Sequence, residues 1–271
     1  MAKTVSVSGS ATTPAKRKAE RAVAIALKKQ FKTTKENVVP KMVKKYKAII
    51  EKHRKGLNDE ADFVLKQLDL TDWVELVETI SGSLSDAEQD AAKRALTSLK
   101  VTDTDLFDKV SETAVSAAEN RAAELVGMKW NGDKLVPNPS ADMAITESTR
   151  NGIRQLVVKS LTDGLTVDQF ANELESSYQF SNLRAETIAR TELASAHVQG
   201  TLTAWKSSGL VEGKRWLLGS EHPGIEDECD QNEADGVIDL DDVFSSGDDG
   251  PPAHPNCVCA VVSSLKVAKE E

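Results

Sequence analysis

Between residues 221 and 250 the chain carries twelve Asp or Glu and no Lys or Arg. Like charges at that density repel one another, and the few apolar residues among them are too sparse to build a conventional core. Whatever folds here needs either flanking elements to pack against or a ligand to clamp it. Placed against the whole chain, this stretch is one end of a charge division. Residues 1–56 hold 16 Lys or Arg against only Glu20, Glu36 and Glu51, a surplus of 13 positive charges, whereas the remainder has 40 acidic and 18 basic residues. The formal net charge of −9 conceals this split. A basic arm is suited to an anionic surface, and the acidic body is one that nucleic acid repels.

The arm carries Lys16, Arg17, Lys18, Arg21, Lys28, Lys29, Lys44 and Lys45, expected to contact a partner or DNA phosphates. The competing reading is a solvated helix face. Val39, Met42, Val43, Tyr46, Ile49, Ile50 and His53 follow helical spacing, with lysines filling the other side. With only Phe31 and Tyr46 as aromatics, the arm has little with which to stack single-stranded bases.

Elsewhere the pattern is helical. Residues 1–14 read as a disordered tail, and 15–135 as a helical N-terminal region bearing the basic arm. Ser85 and Glu88 predict a capping box opening a helix to Leu99; Thr102 and Asp105 open the next, closed by Gly127. Trp130 to Asp133 is a turn, and Pro137 and Pro139 extend the break. A helix over 142–162 follows, then a capping box at Thr166 and Gln169, then a helix over 183–207 capped by Ser181 or Asn182 and stopped by Gly209. After it the texture becomes strand-like at 214–218, 237–240 and 258–262. The expected fold class is mainly α with a small C-terminal α+β module over about 140–265, its short β-strands set around a metal-stapled loop. No apolar run approaches the ~20 residues of a bilayer span, and the N-terminus has no apolar signal region, so a membrane-free protein of a reducing cytosol is expected.

All three cysteines lie in that module. His254, Cys257 and Cys259 place one imidazole and two sulfurs within six residues, and Cys229 offers a fourth soft donor across the loop. Zinc takes four tetrahedral nitrogen or sulfur ligands in structural sites, and ligation folds segments that lack a core. His222 is an alternative donor. Two other readings stay open: a disulfide from Cys229 to Cys257 or Cys259, and buried inert thiols with His254 as a turn residue. No P-loop, dinucleotide glycine pattern, Gly-x-Ser-x-Gly or His-Glu-x-x-His is present.

Two segments together carry a resemblance. Arg184-Ala-Glu-Thr-Ile-Ala-Arg-Thr-Glu192, then Trp216, then Pro251-Pro-Ala-His-Pro-Asn-Cys-Val-Cys259 resemble, in order and spacing, the phage head morphogenesis family over about 145–262. These are the minor head proteins typified by protein F of phage Mu. Where the family usually has Arg between the closing cysteines, this chain has Val258. The resemblance implies a low-copy, non-enzymatic component of the virion head, assembled in the host cytoplasm. Its implied partners are the portal protein, the major capsid protein and double-stranded DNA. Within the matched segments Arg190, Glu192 and Trp216 take structural roles, with Arg190 and Glu192 expected as buried anchors of the loop module. A zinc-dependent hydrolase or toxin-like enzyme is the alternative, with zinc-activated water and Glu221, Glu226 or Glu228 as base. Four protein ligands point to a structural site and three plus water to an enzyme.

Overall fold

The computed structural model describes residues 4–5, 13–52, 56–141, 144–220, 222 and 227–265. In chain order the elements are β1 (Thr4–Val5), α1 (Pro14–Lys52), α2 (Leu57–Leu65), a 3-10 turn (Thr71–Glu75), α3 (Leu76–Ser98) and α4 (Thr104–Leu125). Then come β2 (Met128–Asn131), β3 (Lys134–Pro137), α5 (Ile145–Thr162), α6 (Val167–Glu175), a second 3-10 turn (Tyr178–Phe180) and α7 (Asn182–Ser208). The chain ends with β4 (Val211–Leu217), α8 (Glu228–Ala234), β5 (Val237–Asp239) and β6 (Ala260–Leu265). The architecture is mainly helical with a small C-terminal sheet, as the sequence pattern predicts.

The chain forms two compact units that are not consecutive in sequence: residues 1–22, 81–119 and 187–271 make one, and 23–80 with 120–186 the other. In the second unit, α1 buries Leu27, Phe31, Met42, Tyr46 and Ile49 at helical spacing. Phe31 tilts against Trp73 with ring centroids 5.3 Å apart, and Tyr46 stacks on Phe170 at 4.0 Å. Both polar tips are satisfied: Trp73 Nε1 donates to Thr34 Oγ1 at 2.8 Å, and the Tyr46 hydroxyl donates to the Ser160 carbonyl at 2.9 Å. Tyr46 thus does core work on the expected stripe, whereas Ile50 stays exposed and His53 lies outside the described residues.

In the first unit a four-stranded sheet of order β1-β6-β4-β5 is antiparallel throughout. Lys214 faces Ser263 and Trp216 faces Val261, with a bulge between Val211 and Gly213. Val198, Leu202 and Trp205 of α7 pack with Leu96, Val110, Val211 and Val261. Thr4 and Val5 pair with Ser264 and Ser263, so two residues of the expected disordered tail are a strand. The free edge of β6 offers unpaired backbone groups, and β-branched residues suit it. Residues 1–3 and 6–12 of that tail lie outside the described residues.

Several local signals act where expected. Thr166 and Gln169 form the full capping box, Ser181 Oγ accepts the Arg184 N–H at 3.1 Å, and Gly127 and Gly209 end helices at φ of 77° and 64°. Three differ. Ser85 lies inside α3, which starts nine residues earlier because Val77, Ile80 and Leu84 are buried on one face. Asp103 caps α4, its Oδ1 accepting the Asp105 and Leu106 N–H groups at 3.0 and 3.3 Å. The turn near 130 is the tip of a hairpin, with Gly132 at φ 60° in a two-residue loop.

Candidate metal centre

Over residues 227–250 the acidic segment is more ordered than its composition predicts, because its acids accept backbone hydrogen bonds. Asp227 caps α8 and Asp230 returns the capping-box bond. Asp235 accepts from the Ser245 N–H at 2.8 Å and its hydroxyl at 2.5 Å. Asn232, wholly buried, exchanges two bonds with Ser246 at 2.9 and 3.0 Å. A miniature core sits beneath: Trp216, Phe244, Cys229 and Cys259, with the indole and phenyl edge-to-face at 5.2 Å. Lys214, also wholly buried, reaches Asp249 Oδ1 at 3.7 Å.

His254-Pro255-Asn256-Cys257 closes a four-residue turn, the Cys257 N–H bonding the His254 carbonyl at 3.2 Å. Proline at its second position and Asn256 at φ 62° in the third are the residue types a type II turn selects. The turn brings His254 and Cys257 round to Cys229, which is buried in the first turn of α8. One donor atom from each of Cys229, His254 and Cys257 lies within 4.8 Å of the others. The Cys229 and Cys257 sulfurs are 3.7 Å apart, in hydrogen-bond contact and not joined by a disulfide. Two sulfurs at about 2.3 Å from one tetrahedral zinc are roughly 3.8 Å apart, so the spacing suits a shared ion.

The imidazole is oriented to match. Its Nδ1 bonds the Pro255 carbonyl at 3.1 Å, and a carbonyl only accepts, so Nδ1 carries a proton and in the neutral ring Nε2 presents a lone pair. Nε2 is buried, makes no hydrogen bond and faces Asp227 Oδ2 at 3.6 Å. Two acceptors facing each other without a proton between them are stabilised by a cation. Cys259 lies in the same small core, against Cys257, the Gly219 N–H and the Trp216 indole N–H. Hydrogen bonding from Cys257 brings its thiol down to about 5, while burial pushes Cys229 up to about 12. Cys257 is also raised, first by its bond to Cys259 and then by burial. Of the three thiols, Cys259 ionises first.

His222 belongs to a second cluster with Asp227 and Asp230. Its Nε2 is 3.0 Å from Asp230 Oδ2, and that hydrogen bond raises its basicity. Glu221 and Glu226 lie outside the described residues.

The two motif segments meet here. Arg190 Nη1 donates to Asn256 Oδ1 at 2.9 Å, and the Asn256 N–H bonds Thr191 Oγ1 at 3.3 Å, so α7 holds the turn that carries His254 and Cys257. Residues 151–262 match the family described as Phage Mu protein F like protein. That segment of the chain is Phage Mu F-like. No curated protein and no solved structure matches the chain. The Mu F-like segment contains all four sulfur and imidazole donors and both arginines of the α7 motif.

Within it, one expected role moves. Arg190 is exposed rather than buried, because it reaches over the surface to Asn256. Glu192 and Trp216 are buried. The buried arginine is Arg184, the first residue of the motif. Its Nη1 donates to Thr149 Oγ1 and the Gln179 carbonyl, both at 2.8 Å, and its Nη2 to Ser148 Oγ at 2.8 Å and the Ile145 carbonyl at 3.3 Å. Burial draws its pKa down to about 10. No periodicity in the sequence separates Arg184 from Arg190, since three of the four partners of Arg184 lie over thirty residues away on α5.

The basic arm also sorts. Arg17, Lys18, Arg21, Lys29 and Lys44 are exposed. Lys16 is buried at 6% exposure and desolvation lowers its pKa, which removes it from the contact set. Lys28 pairs with Glu186 at 2.5 Å, and Lys45 lies over the Phe63 ring at 4.8 Å. No described helix is long and apolar enough to cross a membrane.

Proposed function

We propose that this protein is a phage head morphogenesis protein, a low-copy minor capsid component of the virion that joins the head during assembly in the host cytoplasm. The observation that carries this reading is the Phage Mu F-like segment over 151–262. Its partners are the portal protein and the major capsid protein, and its role is structural rather than catalytic. In this reading a single zinc ion bound by Cys229, His254, Cys257 and Cys259 clamps the acidic segment. The facing His254 Nε2 and Asp227 Oδ2, together with the 3.7 Å sulfur pair, support Cys229, His254 and Cys257 as donors, whereas Cys259 lies outside that cluster of donor atoms and joins the set only by a small shift. Zinc there supplies crosslinking, and the backbone N–H of Gly219 stabilises the Cys259 thiolate. The exposed cations Arg17, Lys18, Arg21, Lys29 and Lys44 contact double-stranded DNA phosphates.

Co-expression with the portal and the major capsid protein tests the assembly role. Purified procapsids contain a few copies of the chain by quantitative mass spectrometry, and capsids that exclude it overturn the reading. Deleting residues 1–56 is a poor test of the arm, since α1 supplies Leu27, Phe31 and Tyr46 to a core. Changing Lys18, Arg21, Lys29 and Lys44 to Gln keeps the fold. DNA affinity that falls steeply with salt, and much less steeply in that variant, supports the contact; an unchanged salt slope removes it.

A further inference from the structure

The zinc reading leaves His222 unused, although the fold holds it beside that centre. Its side chain is 7% exposed, and its N–H bonds the Gly219 carbonyl at 2.9 Å in a turn. Gly219 in turn presses on Val258, where a Cβ would fall 2.3 Å from the carbonyl oxygen. The backbone that carries the ring is thus fixed against the end of the sheet.

Two carboxylates meet the imidazole, from the cap and first turn of α8. His222 Nε2 is 3.0 Å from Asp230 Oδ2 and 3.8 Å from Asp227 Oδ1. Asp230 Oδ2 accepts the Asp227 N–H at 3.1 Å, and Asp227 Oδ1 accepts the Cys229 N–H at 2.8 Å. Those bonds pin both oxygens, and each oxygen keeps a second lone pair for another partner. Donors bonded to one ion at about 2.0–2.2 Å are about 2.9–3.6 Å apart for angles between octahedral and tetrahedral. The 3.0 Å pair lies in that range, the 3.8 Å pair needs only a slight closure, and the three donor atoms all lie within 4.8 Å of one another. In the absence of an ion, a proton on Nε2 bridges to Asp230. A divalent cation takes the place of that proton, so the existing contact is the one the ion uses. The Asp227 and Asp230 side chains are 23% and 32% exposed, which lets water in to complete the coordination. With no Lys or Arg between residues 221 and 250, local charge favours the exchange of a proton for a divalent ion.

We infer that His222, Asp227 and Asp230 form a second metal site, for a first-row divalent cation, distinct from the thiolate centre. One imidazole and two carboxylates are a harder donor set than the cysteines, and the imidazole favours Mn2+ or Zn2+ over Ca2+. Asp227 stands between the two centres, its Oδ1 toward His222 and its Oδ2 toward His254 at 3.6 Å. The site draws on no sulfur and so does not rest on zinc binding by the cysteines.

Mn2+ is the probe, because thiolates hold it weakly. The full chain, freed of metal with a chelator and kept reduced, is titrated with Mn2+ while the free ion is counted by its electron paramagnetic resonance signal. The expected result is one Mn2+ per chain with a Kd of about 10–500 µM, showing the nitrogen spin-echo modulation of a coordinated imidazole. His222→Ala removes the modulation and weakens binding at least about tenfold, and Asp230→Asn weakens it to a similar degree. His254→Ala and Cys257→Ser keep both signals, so a chain whose cysteines bind no zinc still binds Mn2+ here and the two readings fail separately. Should His222→Ala not fold, Asp230→Asn carries the test, since its amide oxygen still accepts the Asp227 N–H. No binding up to about 2 mM, several weak equivalents without nitrogen modulation, unchanged affinity in the folded His222 or Asp230 variant, or loss of Mn2+ from folded Cys257→Ser overturns the proposal.

Discussion

The contrast between the two arginines of the α7 motif gives the sharpest test of how this chain is held together. Arg184 makes four hydrogen bonds from a buried guanidinium, and Arg190 makes one across the surface. Charge-assisted bonds contribute about 1.5–3 kcal/mol each, so four give roughly 6–12 kcal/mol before costs. Drawing the Arg184 pKa from 12.5 to about 10 shows that burial takes back some of this, on the order of 3 kcal/mol. Non-additivity lowers the remainder further, because Ser148 and Thr149 keep their own bonds to α5 carbonyls after the arginine is gone. Arg184→Ala is therefore expected to cost about 3–5 kcal/mol and to lower Tm by roughly 10 °C. Arg184→Lys falls between, since one ammonium cannot span both hydroxyls. Arg190→Ala costs under about 1 kcal/mol. Urea titration of the three variants followed by far-UV circular dichroism measures all of them. Equal losses for Arg184→Ala and Arg190→Ala, or a larger loss for the latter, would refute the assignment of the buried anchor.

Three further expectations follow from individual sites. A Cβ on Gly200 of α7 falls 2.2 Å from the backbone oxygen of Glu88 on α3, so Gly200→Ala forces the helices apart. Even after the helix-propensity gain of about 1 kcal/mol, the loss is about 2 kcal/mol or more in thermal melts; a neutral result denies that close approach. Burial raises Glu88 to about 8, so the folded state keeps its proton where the unfolded chain releases it. Stability then declines as pH rises from about 4.5 to 8, and Glu88→Gln flattens that decline when urea midpoints are compared across pH. Elemental analysis is expected to find one zinc per chain, lost in Cys229→Ser and Cys257→Ser, with a chelator lowering Tm. Uptake weakens toward acid pH because thiols must lose protons, and an unchanged melt with chelator removes the staple.

Features set by neighbours in sequence could be read directly. The Thr166 box, the Ser181 cap and the Gly209 stop depend on hydrogen bonds a few residues long, and each is where its residue types place it. The nearness of Cys229, His254 and Cys257 follows from their chemistry and spacing, whereas Cys259, expected with them, lies outside that group. Misplaced features are those decided by distant partners. Ser85 and Glu88 have a capping-box pattern, yet the buried stripe of α3 runs through them. Lys16 reads as one more exposed charge until packing buries it. The interleaved units, with α1, α3, α4 and α7 each supplying residues to both, leave no compositional boundary to find. The acidic segment was misjudged for another reason: hydropathy scores an Asp as a cost, but an Asp that accepts a backbone N–H supplies local structure.

Those same acids bear on the proposed zinc site. Capping and turn bonds order Asp227, Asp230 and Asp235, but they leave the negative charge in place, with no Lys or Arg between residues 221 and 250 to offset it. Lys214, buried beneath Phe244, offsets Asp249. At the turn, Asp227 Oδ2 and the lone pair of His254 face each other across 3.6 Å, beside three thiols. A divalent ion at the proposed site relieves that pair and also draws the thiols into their ionised form. The α7 contacts at Asn256 hold the turn that carries His254 and Cys257, so under the proposed zinc binding substituting Asn256 by Ala is expected to weaken metal affinity while leaving every proposed ligand in the chain.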